Sequence, residues 1–139
     1  YGAKFSVPYC VAIGFLVGKV GLNEFSEEQL SRDDIRSITS KITYSINPED
    51  PYPGEYVGWI DVIDIEGNTH TFKQSCLRGG KQEPMSQQEL EDKFTSNLVF
   101  ARLDNQKIES AQDCVDQLFN SKNNIRECVK TLATIGEKS

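Results

Sequence analysis

The residues most capable of chemistry cluster near the start of the chain: Lys4, Ser6 and Tyr9, in the run Ala3-Lys4-Phe5-Ser6-Val7-Pro8-Tyr9-Cys10-Val11-Ala12. Ser6 is a natural helix N-cap, because its oxygen can accept from the unpaired N–H groups of a first turn. Pro8 suits that turn, where a missing N–H costs little. The front of a helix attracts anions through its N–H groups and its dipole. Lys4 and the Tyr9 hydroxyl stand beside it, so this end is a candidate receptor for a carboxylate. A neighbouring cation and the helix end would favour ionisation of Tyr9, whose ordinary pKa is near 10. Far along the chain, Arg78 sits in Leu77-Arg78-Gly79-Gly80-Lys81-Gln82-Glu83-Pro84. Its planar fork matches a carboxylate, and the two glycines allow close backbone approach to a ligand. On composition alone that segment reads as a flexible connection. The lone histidine, His70, shares a strand face with Phe72 and reads as structural.

The elements that must position these groups follow from periodicity. From Tyr9 to Val17 every residue except Gly14 is apolar or aromatic. Such a helix has no polar face and is expected to be buried all round. It is far shorter than the roughly 20 residues of a membrane span. Gly18 and Gly21 are stop signals. Ser26 and Gln29 have capping-box spacing, and Ser31-Arg32-Asp33-Asp34 opens a further helix with Ile35 and Ile38 on one face. Ile42, Tyr44 and Ile46 then alternate with polar residues, which predicts a strand over Ile42–Asn47. Asn47 to Gly54 holds three prolines and is a loop. Tyr56–Ile65 and Asn68–Gln74 flank the turn signal Gly67-Asn68 and predict an antiparallel hairpin. Beyond Ser86 the pattern is helical. Ser86 and Glu89 form a capping box, Glu89 and Lys93 are a favourable pair four apart, and Leu90, Phe94, Leu98 and Ala101 share a face. Ala111, Cys114, Val115, Leu118 and Phe119 form a second stripe, and Ile125, Cys128, Val129 and Leu132 a third, with Gly136 as a stop.

The fold class is therefore α+β: an antiparallel sheet with helices on one face, followed by a helical tail. The division falls at 1–85 and 86–139. A chain of 139 residues can bury about two-thirds of its extended surface. With 21 acidic against 15 basic residues the net charge is −6, which argues against nucleic acid and against an anionic membrane surface. The four cysteines, Cys10, Cys76, Cys114 and Cys128, form no CxxC, and with one histidine they give no zinc spacing and no dense disulfide framework. Cys10 and Cys114 read as small core residues. The expected setting is reducing and cytoplasmic, with no signal peptide or membrane segment in view.

The stretch Ala3 to Ala12 resembles a signature of the MmgE/PrpD family, which includes 2-methylcitrate dehydratases, cis-aconitate decarboxylases and iminodisuccinate epimerases. A second block, Arg78-Gly79-Gly80 through Pro84-Met85-Ser86 and Glu89-Leu90-Glu91-Asp92-Lys93-Phe94, resembles a later family segment. Between them, Trp59 to Gln74 is similar to the family's lid hairpin. The three blocks come in family order and span the chain to about residue 100.

The resemblance implies a lid-type domain over 1–85, without the strand that precedes it in the family. It implies C-terminal helices that pack on a large helical domain. It implies cofactor-independent and metal-independent lyase or isomerase chemistry on small di- or tricarboxylates, such as 2-methylcitrate dehydration. Such chemistry removes a proton beside a carboxylate or carbonyl and needs a base, an acid and cations. By motif position the resemblance makes Tyr9 the catalytic group and places Lys4 where the family carries basic residues; Ser6 and Arg78 complete the candidate substrate-binding set. In the family this motif lies about two-thirds along a longer chain, and most acid/base groups belong to the helical domain. The expectation is thus a C-terminal part, inactive alone, whose uncovered apolar faces and sheet edge pair into a homodimer. Two other readings stay open: a carboxylate-binding α+β module without turnover, and a dimer-forming structural domain.

Overall fold

The computed structural model describes residues 2–120 and 125–135; the side chains of Phe119 and Asn120 and the expected stop at Gly136 lie outside that description. Helix α1 (Val7–Val17) forms where Ser6 caps it: the Ser6 hydroxyl oxygen accepts from the Tyr9 backbone N–H at 3.3 Å. Pro8 occupies the first turn, and Gly18 closes the helix in the left-handed region at φ 77°. Any side chain there would be strained, so glycine is the fitting C-cap. The all-round burial expected of this helix does not occur. Tyr9, Ala12 and Ile13 are buried, whereas Phe15 and Val7 are 62% and 52% exposed. Apolar composition is enough to form the helix, but among the described residues only the face with Tyr9, Ala12 and Ile13 is buried.

That partner is α3 (Asp33–Thr39), reached through a short 3-10 turn (Asn23–Phe25) and α2 (Glu27–Leu30). Ser26 caps α2 by accepting from Gln29 N–H. Ser31, expected to open α3, instead ends α2, and its hydroxyl donates to the Glu27 carbonyl. Arg32 takes the N-cap position of α3. Tyr9, Ala12, Ile13 and Ile35 form the core here, with Phe25, Leu30, Ile38 and Ile42 packed around it. Ile13 and Ile35 are essentially sealed. Each such side chain contributes about 1.5–3 kcal/mol of burial.

The strand expected over Ile42–Asn47 is absent among the described residues. The amides of Lys41 and Ile42 bond back to the carbonyls of Ile38 and Thr39, which continues the turn of α3. At the other end Asn47 folds into a turn, accepting from Glu49 and Asp50. The four residues between these turns, 43–46, pair with no strand among the described residues. The sheet is therefore two-stranded: β1 (Gly58–Ile63) pairs antiparallel with β2 (Thr69–Gln74), with Ile60 opposite Phe72 and Trp59 opposite Lys73. Both strands are shorter than expected because Asp64 captures the turn. Its carboxylate accepts from the N–H groups of Glu66 and Asn68, and Gly67 at φ 88° completes the reversal.

The remaining elements are helical. In α4 (Gln87–Phe100) the Ser86–Glu89 capping box forms in both directions, with Glu89 N–H to Ser86 Oγ at 3.2 Å and Ser86 N–H to Glu89 Oε2 at 2.8 Å. Glu89 binds Ser86 and Arg78 rather than Lys93. Asp104 caps α5 (Asn105–Asn120) by accepting from Lys107. On α5, Ile108, Ala111 and Cys114 are buried, and they face α6 (Ile125–Ile135) with its buried Cys128 and Ile135. Ile125 and Val129, placed in the third apolar stripe, are exposed. The chain divides into two units, residues 1–90 and 91–139. The α+β class is thus observed, with a smaller sheet than the alternating pattern suggested. No helix among the described residues is long and apolar enough to cross a membrane.

Candidate functional site

A cavity of about 630 Å³ opens along the front of α1, and Lys4, Ser6, Val7, Cys10, Phe15 and Ile60 are among its walls. Among the described residues on those walls, Lys4 is the one with a charged side chain. Its ammonium also lies 5.9 Å from the centre of the Phe25 ring, within reach of a cation–π contact. The Ser6 hydroxyl oxygen is engaged in capping, so Ser6 contributes to the wall while fixing the helix start. An apolar cavity with one cation at its wall can hold an organic anion: the cation pairs with the carboxylate and the apolar wall weakens competition from water.

Tyr9 does not line this cavity. Its ring is buried against Phe25, with centroids 5.7 Å apart. Its hydroxyl donates to the backbone carbonyl of Glu24 at 2.6 Å. Burial is the main cause that raises the Tyr9 pKa above 10.0; Cys10 and Glu24 add to it, and Arg32 opposes it. The shift thus runs opposite to the ionisation expected at a helix end with a nearby cation, because desolvation by burial is its largest cause. Tyr9 stays a protonated hydrogen-bond donor.

Glu24, which periodicity did not single out, is the buried acid behind this arrangement. It is 5% exposed, and its carboxylate accepts from the Gly21 N–H at 2.7 Å. Together Tyr9 and Glu24 hold the Gly21–Phe25 segment onto α1. No motif announces Glu24; the only sequence signal was an acid between Leu22 and Phe25.

Arg78 lies apart from the cavity walls. Its guanidinium bonds Glu83 at 3.0 Å and also bonds Glu89. Glu83 further accepts from Gln74 and from the Cys76 thiol. The expected flexible connection is in fact a closed loop. Gly79 N–H donates to the Glu83 carbonyl at 2.7 Å, and Gly80 N–H to the Leu77 carbonyl at 2.9 Å. Gly79 has φ 86°, so the glycine serves this closure. The Glu89 carboxyl is held below its ordinary range, first by the Ser86 N–H and hydroxyl and then by Arg78. Burial pushes the Cys76 thiol up, with Glu83 adding to it. His70 pairs with Asp64 at 2.9 Å on the exposed hairpin. The structure thus brings Lys4 and Ser6 to one cavity, turns the Tyr9 hydroxyl toward Glu24, and ties Arg78 into a separate clasp.

The MmgE/PrpD C-terminal domain profile matches residues 1–117 of the chain. The chain belongs to the MmgE/PrpD family. Human cis-aconitate decarboxylase is 30% identical over 97 residues, which cover 68% of this chain and 20% of that protein. The mouse cis-aconitate decarboxylase is 25% identical over 96 residues, with the same coverage. The chain thus spans about a fifth of the length of the curated relatives it matches. Within this MmgE/PrpD domain, the cavity, the Tyr9–Glu24 lock and the Arg78 clasp all fall inside the matched residues.

Proposed function

We propose that this chain is the C-terminal part of a lyase that acts on small di- or tricarboxylates, and that the cavity along α1 receives one substrate carboxylate. Lys4 pairs with that carboxylate. Ser6 fixes the helix start that shapes the wall. Tyr9 supplies a proton when its hydroxyl exchanges the Glu24 carbonyl for substrate. The MmgE/PrpD membership carries this reading. It is supported by the Lys4 cation on the cavity wall, and by a Tyr9 hydroxyl that already acts as a hydrogen-bond donor, to the Glu24 carbonyl. The decarboxylase names of the relatives favour decarboxylation over the dehydration of 2-methylcitrate. Arg78 enters as a carboxylate clamp only where substrate displaces Glu83 or Glu89. The base, and a helical domain to cover the chain, come from residues outside this sequence, so the chain alone is inactive. A cytoplasmic setting belongs to the same proposal and rests on four scattered thiols.

The test is Tyr9→Phe in the complete polypeptide, assayed with cis-aconitate and with 2-methylcitrate. Loss of a general acid lowers kcat by about 10²–10⁴-fold, whereas loss of the Glu24 bond alone lowers stability by about 1 kcal/mol. An unchanged kcat with reduced stability would leave Tyr9 only its structural role.

A second reading, a self-associating module, is favoured by the apolar side chains left uncovered. Phe5 is 75% exposed, Ile46 87% and Phe72 61%, and β1 and β2 have no further strand beside them among the described residues. Such faces and edges recruit partners. Sedimentation over a concentration series is expected to show dimers. A monomer at the highest concentration would remove this reading.

A further inference from the structure

The α5–α6 hairpin holds two thiols that the proposed chemistry does not use. Cys114 and Cys128 are 8% and 6% exposed. Each sulfur is aimed at the other residue's backbone. The Cys128 thiol donates to the Cys114 carbonyl at 2.9 Å, and the Cys114 sulfur lies 4.0 Å from the Cys128 carbonyl oxygen. These crossed contacts set the two residues side by side on the seam between α5 and α6, and a disulfide there needs their Cα atoms within about 7 Å of each other. The other two thiols point elsewhere: Cys10 toward the Ala3 carbonyl and Cys76 toward Glu83. Cys114 lies inside the residues that match the family domain, and Cys128 lies beyond them.

We propose that Cys114 and Cys128 are a reversible thiol–disulfide pair, closed by a peroxide, that staples α6 to α5. One thiolate attacks a peroxide oxygen, and the O–O bond breaks. This gives a sulfenic acid and, after protonation, one water. The second sulfur attacks the sulfenic sulfur. The S–S bond forms, the S–O bond breaks, and the oxygen leaves as a second water with the second thiol's proton. Two thiols lose two electrons in total, and one peroxide gains them. Burial, with the Cys114 contact adding to it, pushes the Cys128 thiol up, so the reduced pair is stable at neutral pH and closes slowly. The closed form ties residues 14 apart and restricts the opening of the hairpin.

The test uses the full 139-residue chain under native conditions, treated with hydrogen peroxide, alkylated, and digested with trypsin without reduction. One dominant crosslink is expected, joining peptide 108–122 to peptide 127–130 and reversed by dithiothreitol, with Cys10 and Cys76 alkylated. Its rate should rise about tenfold per pH unit below the thiol pKa. The oxidised chain should unfold at a higher temperature, and Cys128→Ser should lose that shift. A Cys10→Ser/Cys76→Ser variant must still form the bond. Crosslinks spread over all four cysteines, or sulfinic acid at Cys114 or Cys128 without a crosslink, would overturn the proposal. This test reads nothing from the carboxylate site, so the two readings fail separately.

Discussion

Two regions of this chain carry a cation that the sequence marks for a carboxylate, and the fold treats them oppositely. At the front of α1, Lys4 stands on a cavity wall whose other described residues are uncharged, with its ammonium near the ring of Phe25. In the loop before α4, Arg78 holds two carboxylates of its own chain, Glu83 and Glu89. The Arg fork matched carboxylates better than the Lys ammonium did. That geometry is what recruited the neighbouring acids, so the better clamp became a clasp. The aptitude of Arg78 for carboxylates is therefore met within its own chain.

The comparison can be broken most sharply by neutralising each cation in the complete polypeptide. Lys4→Met is expected to raise KM for a tricarboxylate about tenfold or more, equal to roughly 1.4 kcal/mol for a lost charge-assisted bond. Arg78→Met should change it by about twofold or less while loosening the 77–86 loop. Equal effects, read from steady-state kinetics of the two variants, would put both cations in one site. A smaller effect sharpens the contrast through acid. Glu89 has a depressed pKa, so its contribution is present above the ordinary carboxyl value of 4.5 and is lost as pH falls through its lower folded value. The Ser6 cap has no such group. Amide exchange followed by NMR below pH 4.5 should show Ser86 and Glu89 losing protection before Tyr9 does. Simultaneous loss would contradict the separation of the two regions.

Much of the architecture was readable from local chemistry. The Ser6 cap, Pro8, the Gly18 stop, the Ser26 cap and the Ser86–Glu89 box all act within a few residues of chain, and each formed as its spacing required. The hairpin followed from alternation and a Gly67 turn. The Ile42–Asn47 segment shows where alternation is insufficient. A strand exists only when a partner ladder is within reach, and the flanking turns removed it. The site was legible in part. Lys4 and Ser6 share the cavity, but the ionisation expected at Tyr9 failed because sequence does not reveal how deeply a ring is buried.

By itself the sequence determined where α1 begins and ends, where α2 and α4 begin, which family the chain resembles, and which side chains are chemically competent. Those properties reside in neighbouring residues and short-range hydrogen bonds. Only the tertiary structure decided that Tyr9 meets the Glu24 carbonyl, that Arg78 is already paired, and that Cys114 faces Cys128. These contacts join residues whose meeting depends on how the elements pack. Burial and charge pairing, which set proton affinity and ligand access, are properties of that packing.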